Sequence, residues 1–383
     1  MTALRVSLVD PSAFTPPYDR SLAAALARAG ADVELLTSEF LYGPVPAPVG
    51  YRVSKCFYRH STNAGVDHRG RLLAKAAEHV PDMLAVRDRL ETADVEHWQW
   101  TTLPRLDRRL IGKRDPNRPR VITLHYPLPK PGETRKLDAQ RRYLDSFDAV
   151  VAHTETAAGR LRDEVGLDPA KVEVIPHGPF DYLTNLASPG SLPIELTGAK
   201  EPVILFFGLL RPYKGIDTLL EAFASVEGAE LWIAGMPRMS LEPLQKLADR
   251  APGRVRILPR FIPDPEIPAL MRKADVLALP YREIEQSGVL YTGLAFGKPM
   301  VLGDVGGFAE FARTYEAARL VPPGDAEALA EALNDLVAHP EKRAEMAAAA
   351  RSAVEKAFGW DAIAAKTLAL YERLGARPGS GSR

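Results

Sequence analysis

A regular rhythm runs through this chain. Short apolar runs alternate with amphipathic polar stretches almost from end to end. "LRVSLVD" reads as a strand and "YDRSLAAALARAG" as a helix that stops at Gly30. "ADVELLT", "RVITLHY", "FDAVVAHT" and "KVEVIP" repeat the strand pattern, with helical segments between them. Alternation of this kind predicts parallel sheets covered by helices on both faces.

The rhythm breaks once, in "PHGPFDYLTNLASPGSLPIELTGAKEP", where Gly and Pro crowd the chain. It then restarts with "PVILFFG", "GIDTLLEAFASV", "AELWIAG", "RVRILP", "DVLALPY" and "KPMVLGD". The break near Pro176–Asp181 therefore divides two α/β domains. The expected boundaries are 1–178 for the first domain and 179–358 for the second. A last helix, 359–375, is expected to cross back to the first domain, and a small polar tail, 376–383, to be disordered. In such folds the ligand crevice is expected at the carboxyl ends of the strands, between the domains.

Composition narrows the function classes. The 383 residues carry 49 basic and 49 acidic side chains, a formal net charge of zero, which argues against a general nucleic-acid binder. Cationic stretches do occur between Arg52 and Arg120, in "YRVSKCFYRH" and "RLDRRLIGKRDPNRPR". They read either as solvated helix faces or as a patch for an anionic membrane or phospholipid acceptor. Cys56 is the only cysteine, so no internal disulfide or cysteine metal site can form. "MTALRVSLVDPSAF" is too short in its apolar part for a signal peptide, and no run of about 20 apolar residues exists. The expected location is cytoplasmic, with peripheral association at the inner membrane face as an option.

One junction carries chemistry. In "FFGLLRPYKGIDTLLEAF" an apolar strand ends at Gly208, and Arg211 and Lys214 precede a helix whose apolar positions recur at Ile216, Leu219, Leu220 and Phe223. A helix start favours anions, because its first amides lack partners and its dipole end is positive. Arg211 offers a fork and Lys214 a point charge. The spacing is not that of a P-loop. A second junction, "LPYREIEQSGVLYTGLAFG", puts Gln286, Ser287, Gly288 and Val289 at another helix start, with Glu283 and Glu285 before it. Carboxylates beside an anion cradle make sense if they bind hydroxyl groups. A ligand with a diphosphate, a ribose and a sugar satisfies both junctions.

The ordered set of motifs resembles the family 4 glycosyltransferases (glycosyl transferases group 1), whose GT-B fold sets two Rossmann-like domains across a cleft. The resemblance rests on "FFGLLRPYKGIDTLLEAF", "VEVIPHGPFD", "ELWIAGMP" and "ADVLALPY…GLAFGKPMVLGDVGGFAEF". It implies an N-terminal acceptor domain and a C-terminal domain binding a nucleotide-sugar donor. It implies transfer of a sugar to a hydroxyl acceptor on a polysaccharide, glycolipid or secondary metabolite, with retention, by a hexosyltransferase-type enzyme needing no cofactor. No acidic pair of the metal-binding DxD type follows a strand, so metal independence is expected, with Arg211 and Lys214 neutralising the diphosphate and its departing charge. The Ser287–Val289 amides would cup a phosphate or the donor sugar, and backbone at Phe261 and Ile262 would hold the nucleobase. His125, in "TLHYP", would contact the donor sugar, whereas His153 has a structural role.

Three departures from the family pattern stand out. The two Glu positions of the donor loop hold Ile284 and Thr292, so Glu283 and Glu285 or the Thr292 hydroxyl would have to serve. Leu209 stands where the family tends to carry Arg. "DPSAFTPPYDRSL" replaces the Gly-rich loop after the first strand, and its Tyr18 reads as acceptor contact or as packing. Trp98 and Trp100 read either as a sugar-stacking surface or as core. Two other functions fit the same fold: a sugar-nucleotide epimerase, and a two-domain binding protein without catalysis.

Overall fold

The computed structural model describes the chain except residues 1, 42, 44, 63–67, 126, 127, 131, 200, 201 and 381–383, with backbone only at 68 and 69. Tyr126 and Pro127 of the "TLHYP" stretch, and the end of the polar tail, therefore lie outside the described residues. Two compact units are present: Met1–Gly178 with Gly359–Arg383, and Pro179–Phe358.

The first unit is built on seven strands: β1 (Arg5–Asp10), β2 (Asp32–Thr37), β3 (Arg52–Lys55), β4 (Val95–Trp98), β5 (Arg120–Thr123), β6 (Ala149–Ala152) and β7 (Val172–Val174). Their order is β3-β2-β1-β4-β5-β6-β7 and every pairing is parallel. Central strands such as β6 are buried at every residue, which is why they read as unbroken apolar runs. The helix Trp360–Arg373 belongs to this unit. It packs on the helix Pro16–Arg28, and the Tyr371 hydroxyl lies 2.6 Å from Nδ1 of His97 on β4. A short π-helical stretch, Val354–Phe358, and Gly359 precede it, and the helix lies within the expected span 359–375. Ala376, after that helix, is buried.

The second unit has six strands: β8 (Val203–Phe207), β9 (Glu230–Ala234), β10 (Arg254–Leu258), β11 (Val276–Leu279), β12 (Met300–Gly303) and β13 (Ala318–Val321). The order β10-β9-β8-β11-β12-β13 is again all parallel. Counted within each unit, the first six strands follow the order 3-2-1-4-5-6 of dinucleotide-binding sheets, so each unit is Rossmann-like. Among the described residues no helix is long and apolar enough to cross a membrane.

Candidate functional site

Strand order reverses between β8 and β11, which pair through Ile204↔Val276 and Leu205↔Leu277. Loops leaving two such strands diverge and open a recess at the carboxyl edge of the sheet. The two junctions singled out by sequence follow these two strands, so a single switch point brings them together.

Gly208 ends β8 with φ at 109°, in the left-handed region. A methyl group there would lie 3.0 Å from Cγ2 of Val289 and 3.3 Å from Nζ of Lys214. The Lys214 ammonium, the β8 carboxyl end and the first turn of the helix Gly288–Ala295 thus face one point.

Lys214 closes a single 3-10 turn, Pro212–Lys214, and Gly215 then caps the helix Ile216–Phe223. Its side chain is not a surface cation: the residue is only 7% exposed. Nζ sits 4.8 Å from the ring centre of Tyr281 and 5.9 Å from that of Phe206. Among the described residues it has no hydrogen-bond acceptor and no carboxylate within ion-pair distance. Burial, and then the charge of Arg211, lower its pKa from 10.5 to about 8. Arg211 itself is exposed and has no side-chain partner among the described residues. A buried ammonium without a counter-ion is costly, and an arriving anion relieves that cost.

Ser287 is extended, 7% exposed, and its side chain makes no capping bond. The Leu290 amide already donates to the Ser287 carbonyl at 3.1 Å, which leaves the Gly288 and Val289 amides, at the very start of the helix, to meet a ligand. Gly288 lies against Phe180, whose ring would be 3.1 Å from a methyl group there. Thr292 is buried and donates its hydroxyl to the Gly288 carbonyl at 3.0 Å, so it serves its own helix. Glu283 is exposed, and Glu285 and Gln286 are half-buried. Their loop is pressed onto the turn at Gly306, where a methyl group would fall 1.8 Å from the Ile284 carbonyl oxygen. Phe261 is 44% exposed and its carbonyl accepts from the Arg260 guanidinium at 3.0 Å, whereas Ile262 is buried.

In the first unit, His125 follows β5 and its Nε2 lies 3.0 Å from Oε1 of Gln99. Its ring stacks on Trp100 with centres 5.5 Å apart and meets the edge of Tyr18 at 4.6 Å. His153 and His177 complete the cluster around Tyr18, at 5.3 and 4.8 Å. Burial pushes all three imidazoles below their ordinary range, His153 to about 4, so they are neutral near pH 7. His153 Nδ1 lies 2.9 Å from the Ile175 carbonyl, a structural contact. Trp98 is 1% exposed within the core, which selects the packing alternative for it; Trp100 is half-buried.

Sequence reasoning missed what replaces the Gly-rich loop. The buried Asp10 carboxylate accepts the amides of Ser12, Phe14 and Thr15 at 3.2, 2.6 and 3.2 Å. Asp19, beside it, is pushed well above the usual carboxylate range by burial and then by the charge of Asp10. An acid at the carboxyl end of a strand, in "LVDPS", was the available signal. Tyr281, which floors the Lys214 pocket, was signalled by the aromatic at the end of "ALPY".

Comparison with known proteins places the chain in a family and supports its fold. The family described as Glycosyltransferase Family 4 matches residues 19–178, and Glycosyl transferases group 1 matches residues 201–339. A D-inositol 3-phosphate glycosyltransferase from Jonesia denitrificans is 29% identical over 262 residues, covering 63% of this chain and 61% of that protein. The chain thus matches less than two thirds of that relative's length. Among solved structures, a sucrose-phosphate synthase from Thermosynechococcus elongatus superposes with a TM-score of 0.73 at 21% identity, over 97% of this chain and 99% of the other. HepE from Anabaena, solved in complex with UDP and glucose, superposes with a TM-score of 0.68 at 19% identity, over 97% and 100%. At these identities the structures speak for the fold alone. With two family matches spanning both units and two parallel six- and seven-stranded sheets, the chain belongs to the family 4 glycosyltransferases of GT-B fold.

Proposed function

We propose that this protein transfers a hexose from a nucleoside diphosphate sugar to a hydroxyl acceptor with retention of anomeric configuration. The observation that carries the reading is Lys214, a buried ammonium without a counter-ion beside Gly208 and the Ser287 helix start. Its natural complement is a diphosphate. Arg211, at the mouth of the same turn, adds a second cation. Glu283, Glu285 or Gln286 would take the ribose or sugar hydroxyls, and His125, neutral, would donate or accept a hydrogen bond at the donor sugar.

In the reaction the acceptor oxygen bonds to the anomeric carbon as the bond from that carbon to the diphosphate oxygen breaks. The acceptor proton passes to the departing phosphate, and the nucleoside diphosphate leaves. Lys214 and Arg211 bear on the charge that grows on the leaving group, the place where fixed cations lower a barrier most. HepE, also solved with UDP-glucose, makes that sugar nucleotide the first donor to try. The inositol phosphate glycosyltransferases make a phosphorylated polyol the first acceptor.

The test is release of nucleoside diphosphate from a panel of sugar nucleotides with and without acceptor, in buffer containing a chelator. Acceptor-dependent release with an α-linked product from an α-linked donor is expected. Epimerised donor without acceptor would assign the protein to a different reaction, and inversion or a metal requirement would overturn those parts of the reading.

A further inference from the structure

The cationic stretch "RLDRRLIGKRDPNRPR" has no part in the donor site. Its first arginines line a recess of about 460 Å³ in the first unit. Arg105, Arg108 and Arg109 project from the helix Pro104–Leu110, and Arg135 and Arg142 from the helix Thr134–Leu144. The spacings i, i+3, i+4 and i, i+7 put each set on one helix face. Among the described residues none of the five has an ion pair or a side-chain hydrogen bond. Asp138 is the single acid of the lining.

All five are exposed, so solvent screens their mutual repulsion, but among the described residues no ion-paired acid offsets it. Like charges at helical neighbour spacing repel, and packing two cationic faces together adds to the repulsion. Ion pairing elsewhere in the chain is common: Arg5, Arg28, Arg52 and Arg114 each meet an aspartate within 3 Å. Guanidinium forks are suited to bidentate contact with phosphate oxygens. Five cations against one carboxylate leave four positive charges, more than one phosphate group neutralises. The volume suits a small molecule. An adjoining recess of about 520 Å³, mostly apolar through Leu103, Pro104, Leu106 and Pro129 but also bordered by Lys136 and Gln140, shares Arg105, Ala139 and Tyr143 and offers room for the rest of a ligand.

We propose that this recess binds a small molecule carrying two or more phosphate groups, at a site separate from the donor diphosphate. Concavity favours a free ligand over a lipid headgroup: cations lining a recess reach a molecule that enters it, whereas a flat bilayer does not.

The probe is tripolyphosphate, titrated calorimetrically into the Lys214→Met protein at near-physiological salt, so that the donor site is disabled. Binding is expected to persist there and to weaken by about tenfold or more in Arg109→Glu/Arg142→Glu. The milder Arg109→Gln/Arg142→Gln pair should weaken it less, in a protein with unchanged thermal stability. A control with the same charge change on exposed residues outside the recess, Arg250→Glu/Lys366→Glu, should stay within about twofold. Absence of binding in Lys214→Met, or equal loss in the control, overturns the proposal. So does binding to vesicles of anionic phospholipid without binding to tripolyphosphate.

Discussion

Nζ of Lys214 lies 3.3 Å from the point where a methyl group on Gly208 would sit, and Cγ2 of Val289 lies 3.0 Å from the same point. The end of one strand, a buried cation and the first turn of another element's helix are therefore held together by the absence of a single carbon. This spacing turns two separate sequence motifs into one anion pocket.

Gly208→Ala should damage that pocket in two ways. The backbone is in the left-handed region, which costs an alanine about 1 kcal/mol or more, and the methyl group crowds both neighbours. A Tm lower by a few degrees is expected, together with about tenfold weaker binding of nucleoside diphosphate. Thermal unfolding with and without ligand separates the two effects. Unchanged affinity would remove Gly208 from the site.

Lys214 makes ligand binding and stability respond to pH in opposite directions. Its folded pKa of about 8 lies below its ordinary 10.5, so the unfolded chain binds the proton more tightly. The cost of burying the charge, on the order of 3 kcal/mol, is fully present below about pH 8. It is relieved as pH rises from about 8 to 10.5, because the folded protein releases the proton first. Lys214→Met should therefore raise the Tm of the ligand-free protein at pH 7. In the wild type, nucleoside diphosphate affinity should fall as pH rises above about 8, and in the variant it should lose that dependence.

Thr292 occupies one of the two positions at which the family carries Glu, yet its hydroxyl is spent on the Gly288 carbonyl. Thr292→Val keeps the shape and removes only that bond. Donor affinity should change by less than about twofold, with stability reduced by about 1 kcal/mol. A tenfold loss of donor affinity at unchanged stability would instead make the hydroxyl a ribose contact.

The histidines of the first unit predict acid sensitivity without a role for imidazolium. His97, at about 3, and His153, at about 4, are neutral when folded, and burial holds His125 and His177 well below 6.5. Unfolded, each takes up a proton near pH 6.5. Stability should thus be full above pH 6.5 and fall as pH drops toward 4, at up to about 1.4 kcal/mol per pH unit for each group. Urea unfolding across pH 4–7 measures this, and His97→Gln should flatten the curve.

Much of this architecture is legible in sequence because parallel strands buried on both faces leave unbroken apolar runs, as in Val203–Phe207 and Val276–Leu279. β3 is not legible: it is a four-residue edge strand, Arg52–Lys55, with both ends exposed, and its charges read as a surface patch. Lys214 was recognisable as a cation at a strand–helix junction, but not as a buried one. Its depth comes from Tyr281, which arrives from β11, and no local pattern reports that. The loop after β1 was legible only as something missing. Its anchor is one acid, Asp10, whose oxygens accept the amides of Ser12, Phe14 and Thr15 and so fold the loop back over the strand end.

The pairing of a buried ammonium with a diphosphate is tested most directly by calorimetric titration of UDP and of uridine into wild-type and Lys214→Met protein at pH 7. UDP should bind the wild type at least about tenfold more tightly than uridine does, and the variant should lose most of that preference, keeping only what Arg211 and the helix start supply. UDP binding of equal strength in wild type and variant would contradict the role assigned to Lys214.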